Sequence, residues 1–334
     1  MYRNPSYTIL DFLNTYKFRH MSILGIIGFI LAGYSVVAND SVQTLGTWIS
    51  SNKDRFKWWV LWLSASGLMI LTLLYGWYTN DGDISFGRLD KIPYMEVQWY
   101  HALAPLVLLL LTRQGIPVST SFLVLSAFAS SFVLEKMLMK SILGYVVAAV
   151  SAYVLWVIMS KIMDESEDVK KSQKSTWRVL QWLSTGFLWY SWLSQDMANI
   201  AVFLPRQLSL PELSMILVFF TATMGWIFYT NGGKIQNIII EKKNTKYIRS
   251  ATMIDFVYAF LLLYFKEMNN IPMSTTWVFV GLLSGREIAL QQGSFKKKGL
   301  KTVFPMLIKD FIKLLIGLTV SVGIVLAIQY FFNK

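Results

Sequence analysis

The chain of 334 residues is 54% hydrophobic and 15% charged, with no cysteine and two histidines, and its mean hydropathy is +0.47. That balance excludes an ordinary soluble domain, where about a quarter of residues carry charge, and the missing residue types exclude disulfides, thiolate chemistry and a histidine-rich metal site. The net charge of +12 fits loop lysines and arginines that set topology and meet anionic headgroups; no soluble basic face interleaved with aromatics is present to bind nucleic acid.

In chain order, the pattern predicts an all-α polytopic membrane protein with about ten apolar segments. Residues 1–20 read as an amphipathic lead-in lying at the membrane surface, without a cleavable leader. Runs at 21–38, 58–78, 97–112, 141–160, 177–193, 212–230, 251–265 and 312–332 approach the roughly 20 residues that span a bilayer. Two stretches that open on proline and hydroxyl residues, 115–130 and 270–285, complete the set. Aromatic residues at run ends, such as Trp58-Trp59, Trp77-Tyr78 and Trp189-Tyr190, fit interfacial belts. The loop charges between 81 and 91, Asp81 and Asp83 among them, read as solvated, and Lys296, Lys297, Lys298 and Lys301 read as a juxtamembrane cluster.

Two motifs occur twice at nearly one spacing. The first apolar run ends in Asn39-Asp40-Ser41-Val42-Gln43, and the run at 177–193 is followed by Gln195-Asp196-Met197-Ala198-Asn199. Asp196 lies 156 positions after Asp40. Pro117 and Ser119, Thr120, Ser121 are matched by Pro272 and Ser274, Thr275, Thr276, 155 positions on. Tyr78-Thr79-Asn80 and Tyr229-Thr230-Asn231 add a third pair, 151 apart. The spacing predicts an internal duplication, with repeat 1 over 21–160, a charged linker over 161–176 and repeat 2 over 177–334.

Acid and amide side chains are costly in apolar surroundings and mark pathways or sites. The carboxylate and amide oxygens of Asn39, Asp40, Gln43, Gln195, Asp196 and Asn199 are hard ligands suited to a small cation such as Na⁺. The hydroxyl clusters suit an anion: a proline in the first helical turn is followed by open backbone N–H groups at the positive end of the helix dipole. Each cluster taken alone also fits ordinary helix capping. Arg113 and Arg286, which flank the two clusters, read as interfacial anchors, and Glu135 and Glu287 as paired with Lys136 and Arg286.

With these motifs the chain resembles the inorganic phosphate transporter (PiT) family of cation-coupled symporters. That family carries a duplicated GANDVANA-like motif, each copy followed by GxPxSTTH. Residues 38–43 with Gly46-Thr47 match the first copy and 195–199 the second; residues 117–121 and 272–276 match the two PxSTT segments, with Gly281 and Gly285 as the small residues that follow. Gln43 and Gln195 stand at asparagine positions, and Phe122 and Trp277 stand where the motif has histidine. The resemblance implies inverted repeats with broken or re-entrant helices meeting near the midplane. It also implies Na⁺-coupled symport of inorganic phosphate, with H⁺ as the alternative coupling ion and sulfate as the alternative oxyanion. Ser119, Thr120, Ser121, Ser274, Thr275 and Thr276 are expected at the anion, and Asn39, Asp40, Gln43, Gln195, Asp196 and Asn199 at Na⁺. No organic cofactor is expected; the expected partners are the oxyanion, the lipid bilayer and, as a homodimer, a second copy. Two rivals are a non-transporting anion sensor or membrane assembly partner, and an intramembrane enzyme using Asp40 and Asp196. The expected location is the bacterial cytoplasmic membrane.

Overall fold

A computed structural model of the protein describes residues 22–114, 118–162, 173–230, 248–292 and 300–332. The lead-in at 1–20, Pro117, most of the linker, Lys296, Lys297 and Lys298 and the side chains of Arg113 and Lys301 lie outside the described residues. Those described are helical or irregular, with no strand among them.

Helix α1 (Ile23–Asn52) starts at Ser22, whose hydroxyl accepts the Gly25 N–H at 3.0 Å, the usual way an N-terminal donor is satisfied. The apolar run stops at Ala38, but α1 runs on through Asp40 and beyond. Its polar side chains fold back onto the helix instead of breaking it. Ser41 donates to the Val37 carbonyl and Thr44 to the Asp40 carbonyl at 2.9 Å, bonds that leave little polar surface unpaired. Asp40 therefore sits within a helix, roughly 25 Å from its start at about 1.5 Å per residue.

Helix α2 (Trp58–Thr79) is followed by a long connection and a 3₁₀ turn (Trp99–Ala102) that feeds α3 (Leu103–Arg113). The short α4 (Thr120–Val124) gives way to a 3₁₀ turn (Leu125–Ala127) and then α5 (Ser131–Ile162). Helix α6 (Lys174–Asp196) ends on the second aspartate and passes into the short α7 (Ala198–Ala201). Helix α8 (Leu210–Tyr229) opens on a Ser209/Glu212 capping box, which satisfies two terminal donors reciprocally. Helices α9 (Ile248–Met268), α10 (Thr275–Gln292) and α11 (Leu300–Phe332) complete the described chain.

Six of these helices are long and apolar enough to cross a membrane, over Ile23–Ser41, Trp58–Thr79, Ser131–Met159, Leu210–Tyr229, Ile248–Met268 and Phe304–Ile328. The chain is thus an all-helical, multi-pass membrane protein. The remaining expected segments form helices that are shorter (Trp99–Leu111) or more polar, as α6 is with its Gln181, Ser184, Thr185 and Gln195.

Packing brings the first and last parts of the chain into one another. Helix α1 packs on α3 and α6 on α9; α2 packs on α6 and α8 on α1; α5 packs on α10 and α11 on α4; α3 abuts α4 and α9 abuts α10. The tightest of these is α5 against α10. A Cβ at Gly285 would stand 1.9 Å from the Ala149 carbonyl oxygen, and one at Gly281 2.3 Å from that of Tyr145. With glycine spaced by four, backbone meets backbone, the arrangement that favours dispersion-driven helix association in lipid. Arg286 lies on this helix fully buried, bonded to Ser250 at 3.1 Å and Glu287 at 2.8 Å. It is not an interfacial anchor, because the close α5–α10 packing draws its part of the helix inside; its pairing with Glu287 is as expected.

Gly285→Val is expected to lower the thermal midpoint in detergent by roughly 5 °C or more, since overpacking against backbone has no side chain to displace. Gly67→Ala, where a Cβ meets nothing within 4 Å, should leave it unchanged; nanoscale fluorimetry checks both.

Candidate functional site

The two hydroxyl clusters lie against each other at the centre of the helices. In the first, Ser119 is the N-cap of α4 and accepts the Phe122 N–H at 3.2 Å. In the second, Ser274 accepts the Trp277 N–H at 3.2 Å. Pro272 stands outside α10, in the irregular lead-in before Ser274, and not in the first helical turn. Serine takes the capping position because its oxygen can reach the N–H three residues on, which a proline cannot do.

The second hydroxyl of each cluster turns to a carboxylate. Thr120 donates to Asp40 Oδ2 at 2.9 Å, and Thr275 donates to Asp196 Oδ2. The third hydroxyl of each crosses to the other cluster. Ser121 donates to the Met273 carbonyl at 3.0 Å, and Thr276 to the Val118 carbonyl at 3.3 Å. Those carbonyls belong to the residues just before Ser274 and Ser119. Each cluster thus caps its own helix, holds its own aspartate and fastens itself to its counterpart.

The amides extend the network unevenly. Asn39 donates to Asp40 Oδ1 at 2.5 Å and to the Val118 carbonyl at 3.4 Å. Asn199 donates to Thr120 Oγ1 at 2.8 Å, and its Oδ1 is buried without a hydrogen-bond partner. Gln195 donates to the Leu262 carbonyl at 2.6 Å. Gln43 is buried a turn beyond Asp40 but does not bond to the cluster. All the sequence-predicted site residues are buried, and Asp40 and Asp196 are near enough to repel each other. Phe122 and Trp277 meet edge-on beside them, ring centroids 6.1 Å apart.

Such an arrangement offers two kinds of contact. Carboxylate and amide oxygens, one of them unpartnered, can ligate a hard cation. Hydroxyls at helix starts can donate to an anion. No nucleophile–base pair is formed by these residues, and no group of His, Cys, Asp or Glu able to hold a metal occurs among the described residues.

Sequence reasoning missed several buried groups. Asp255 accepts hydrogen bonds from Thr47 at 2.7 Å and from Thr185, tying α9 to α1 and α6. The signal was an acid inside an apolar run. Lys140 is buried and donates to the Asn269 carbonyl at 3.2 Å, Asn269 Oδ1 at 2.8 Å and the Ile271 carbonyl at 2.9 Å. It lay one residue before the run at 141–160. Arg88, read as one of the solvated loop charges, is 0% exposed. Its loop turns inward because Asp83 gathers the Ser85 and Gly87 N–H groups.

No protein-family profile matches the chain, and no curated protein matches it in sequence. In structure it is similar to a solved chain described as "The sodium-dependent phosphate transporter", with a TM-score of 0.57 over 93% of this chain and 99% of that one, at 17% sequence identity. The two share a fold.

Ser121→Ala and Thr276→Val each remove one bond across the two clusters and are expected to cost about 1 kcal/mol apiece. Thermal midpoints of the single and double variants check this. Variants as stable as the wild type, the double included, would show that the crossing bonds hold nothing together.

Proposed function

We propose that the protein is a secondary active transporter that imports inorganic phosphate by symport with Na⁺. The observation that carries this reading is the meeting of two buried carboxylates, each held by the hydroxyl-led start of a helix, with those two starts fastened to each other. Asp40 and Asp196 supply charge to Na⁺, and Asn39, Gln43, Gln195 and Asn199 supply neutral oxygens; the unpartnered Asn199 Oδ1 fits this role. Ser119, Thr120, Ser121, Ser274, Thr275 and Thr276 contact the anion or border the cation sites. The fold shared with a sodium-dependent phosphate transporter supports the same reading, and supports a transporter over an enzyme.

The hydrogen bonds suggest how the two cargoes are linked. Without a cation, the aspartates repel each other and any incoming anion, and they hold the Thr120 and Thr275 hydroxyls as donors. Na⁺ neutralises the carboxylates and releases those hydroxyls toward the anion. Each cargo then binds better in the presence of the other, as reciprocal linkage requires.

The reading includes two inverted repeats, 21–160 and 177–334, joined by the linker 161–176, with about ten membrane segments, broken helices at the clusters and residues 1–20 at the surface. It is supported by the packing contacts that occur in pairs, α1–α3 with α6–α9 and α5–α10 with α11–α4. Motion of one repeat against the other around a central site provides alternating access. The cytoplasmic membrane of a bacterium is the proposed location.

Purified protein in liposomes is expected to accumulate radiolabelled phosphate under an inward Na⁺ gradient, against competing sulfate. Asp40→Asn and Asp196→Asn should insert normally yet lose gradient-driven uptake. Normal uptake by both variants would refute the assignment, and accumulation driven by a pH gradient alone would move the coupling to protons.

A further inference from the structure

Arg88 is not used by the transport reading above. It lies on the α2–α3 connection, which is built to hold it. Asp83 accepts the Ser85 N–H at 2.7 Å, the Ser85 hydroxyl at 2.7 Å and the Gly87 N–H at 2.9 Å. Phe86 and Gly87 take left-handed conformations, φ 56° and 71°, and the Phe86 ring seats on Gly76, where a Cβ would stand 2.6 Å away. The connection is fastened to the segment before α8 as well. Gly82 accepts the Leu208 N–H at 3.0 Å, and Trp77 donates to the Leu208 carbonyl at 2.7 Å.

The guanidinium so placed is used at one corner only. Its Nη1 donates to the Asn269 carbonyl at 2.8 Å, five residues before the Ser274 cap. Its Nε and Nη2 are buried and have no hydrogen-bond partner among the described residues. Those two nitrogens form the side edge of the guanidinium, where two parallel N–H groups match two oxygens of an oxyanion. Leaving both unpaired in a buried setting is costly. Lys140, within the field of Arg88, cannot be the answering group, since it is a cation and is bonded to Asn269 and Ile271. Lys266 is also in that field and pairs loosely with Glu267 at 3.7 Å. Asp196 and Glu267 are the acids that Arg88 feels, yet neither hydrogen-bonds to it.

We infer that the Nε/Nη2 edge of Arg88 is a bidentate receptor for a free tetrahedral oxyanion, which it holds beside the lead-in to α10, next to the hydroxyl clusters. This rests on the transport reading for the identity of the anion as phosphate. Burial lowers the guanidinium to about 10, so it stays a cation near neutral pH. It therefore provides the positive charge that the hydroxyl clusters lack.

The test is equilibrium binding of ³²P-phosphate to the purified full chain, beside Arg88→Lys and Arg88→Gln, with Na⁺-driven uptake by wild-type liposomes measured in parallel. Arg88→Lys keeps one donor for Asn269 but loses the fork, and is expected to bind phosphate about tenfold more weakly at an unchanged thermal midpoint. If Arg88→Gln does not fold, Arg88→Lys alone decides. Equal affinity in Arg88→Lys would overturn the inference and leave the transport reading standing. Absent phosphate uptake, with Arg88-dependent binding of sulfate, would do the reverse. No binding of either anion by the wild type, or stronger binding of glycerol 3-phosphate as a lipid-headgroup analogue, would overturn the assignment to a free oxyanion.

Discussion

Asp40 and Asp196 are both held out of water and within each other's field. A buried charge without compensation costs several kcal/mol, and two of the same sign cost more. The centre of the molecule is arranged around that constraint. Thr120 and Thr275 each donate to one carboxylate, Asn39 adds a second donor to Asp40, and Asn199 donates in turn to Thr120. This last chain runs from α7 through α4 to α1 and so ties three elements to one aspartate. The helices that carry Thr120 and Thr275 are themselves fixed by their serine caps.

The two clusters share a plan but not its surroundings. Asp40 lies within a continuous helix, whereas Asp196 is the last residue of α6. Helix α4 lasts one turn before a 3₁₀ turn, whereas α10 continues for 18 residues against α5. Asn199 reaches the opposite cluster, and Gln43 does not. The two halves of the centre are therefore not interchangeable: one carboxylate is carried by a continuous helix and the other by a helix end.

Much of this centre was legible in the chain, because polar residues in apolar runs carry their own warning. The paired Asp motifs and paired hydroxyl triplets pointed to residues that the fold does bring together and bury. The division of labour within a triplet was not legible, since cap, carboxylate partner and cross-link are all served by the same hydroxyl chemistry. Whether the helix continues through Asp40 was not legible, because the back-bonds of Ser41 and Thr44 have no signature distinct from that of a polar loop. Arg88 was hidden for another reason: its burial comes from a turn set by Asp83 and from contacts with Asn269, 181 positions away. The six long apolar helices followed from composition, while the polar face of α6 made sense only once its partners were known.

The bonds that cross between the clusters end on main-chain carbonyls, those of Met273 and Val118. A carbonyl is offered by every residue type. The interlock therefore demands a hydroxyl at 121 and at 276 but nothing of the side chains at 118 and 273, which already differ. Two segments joined in this way can differ at every position but these and still close on one another.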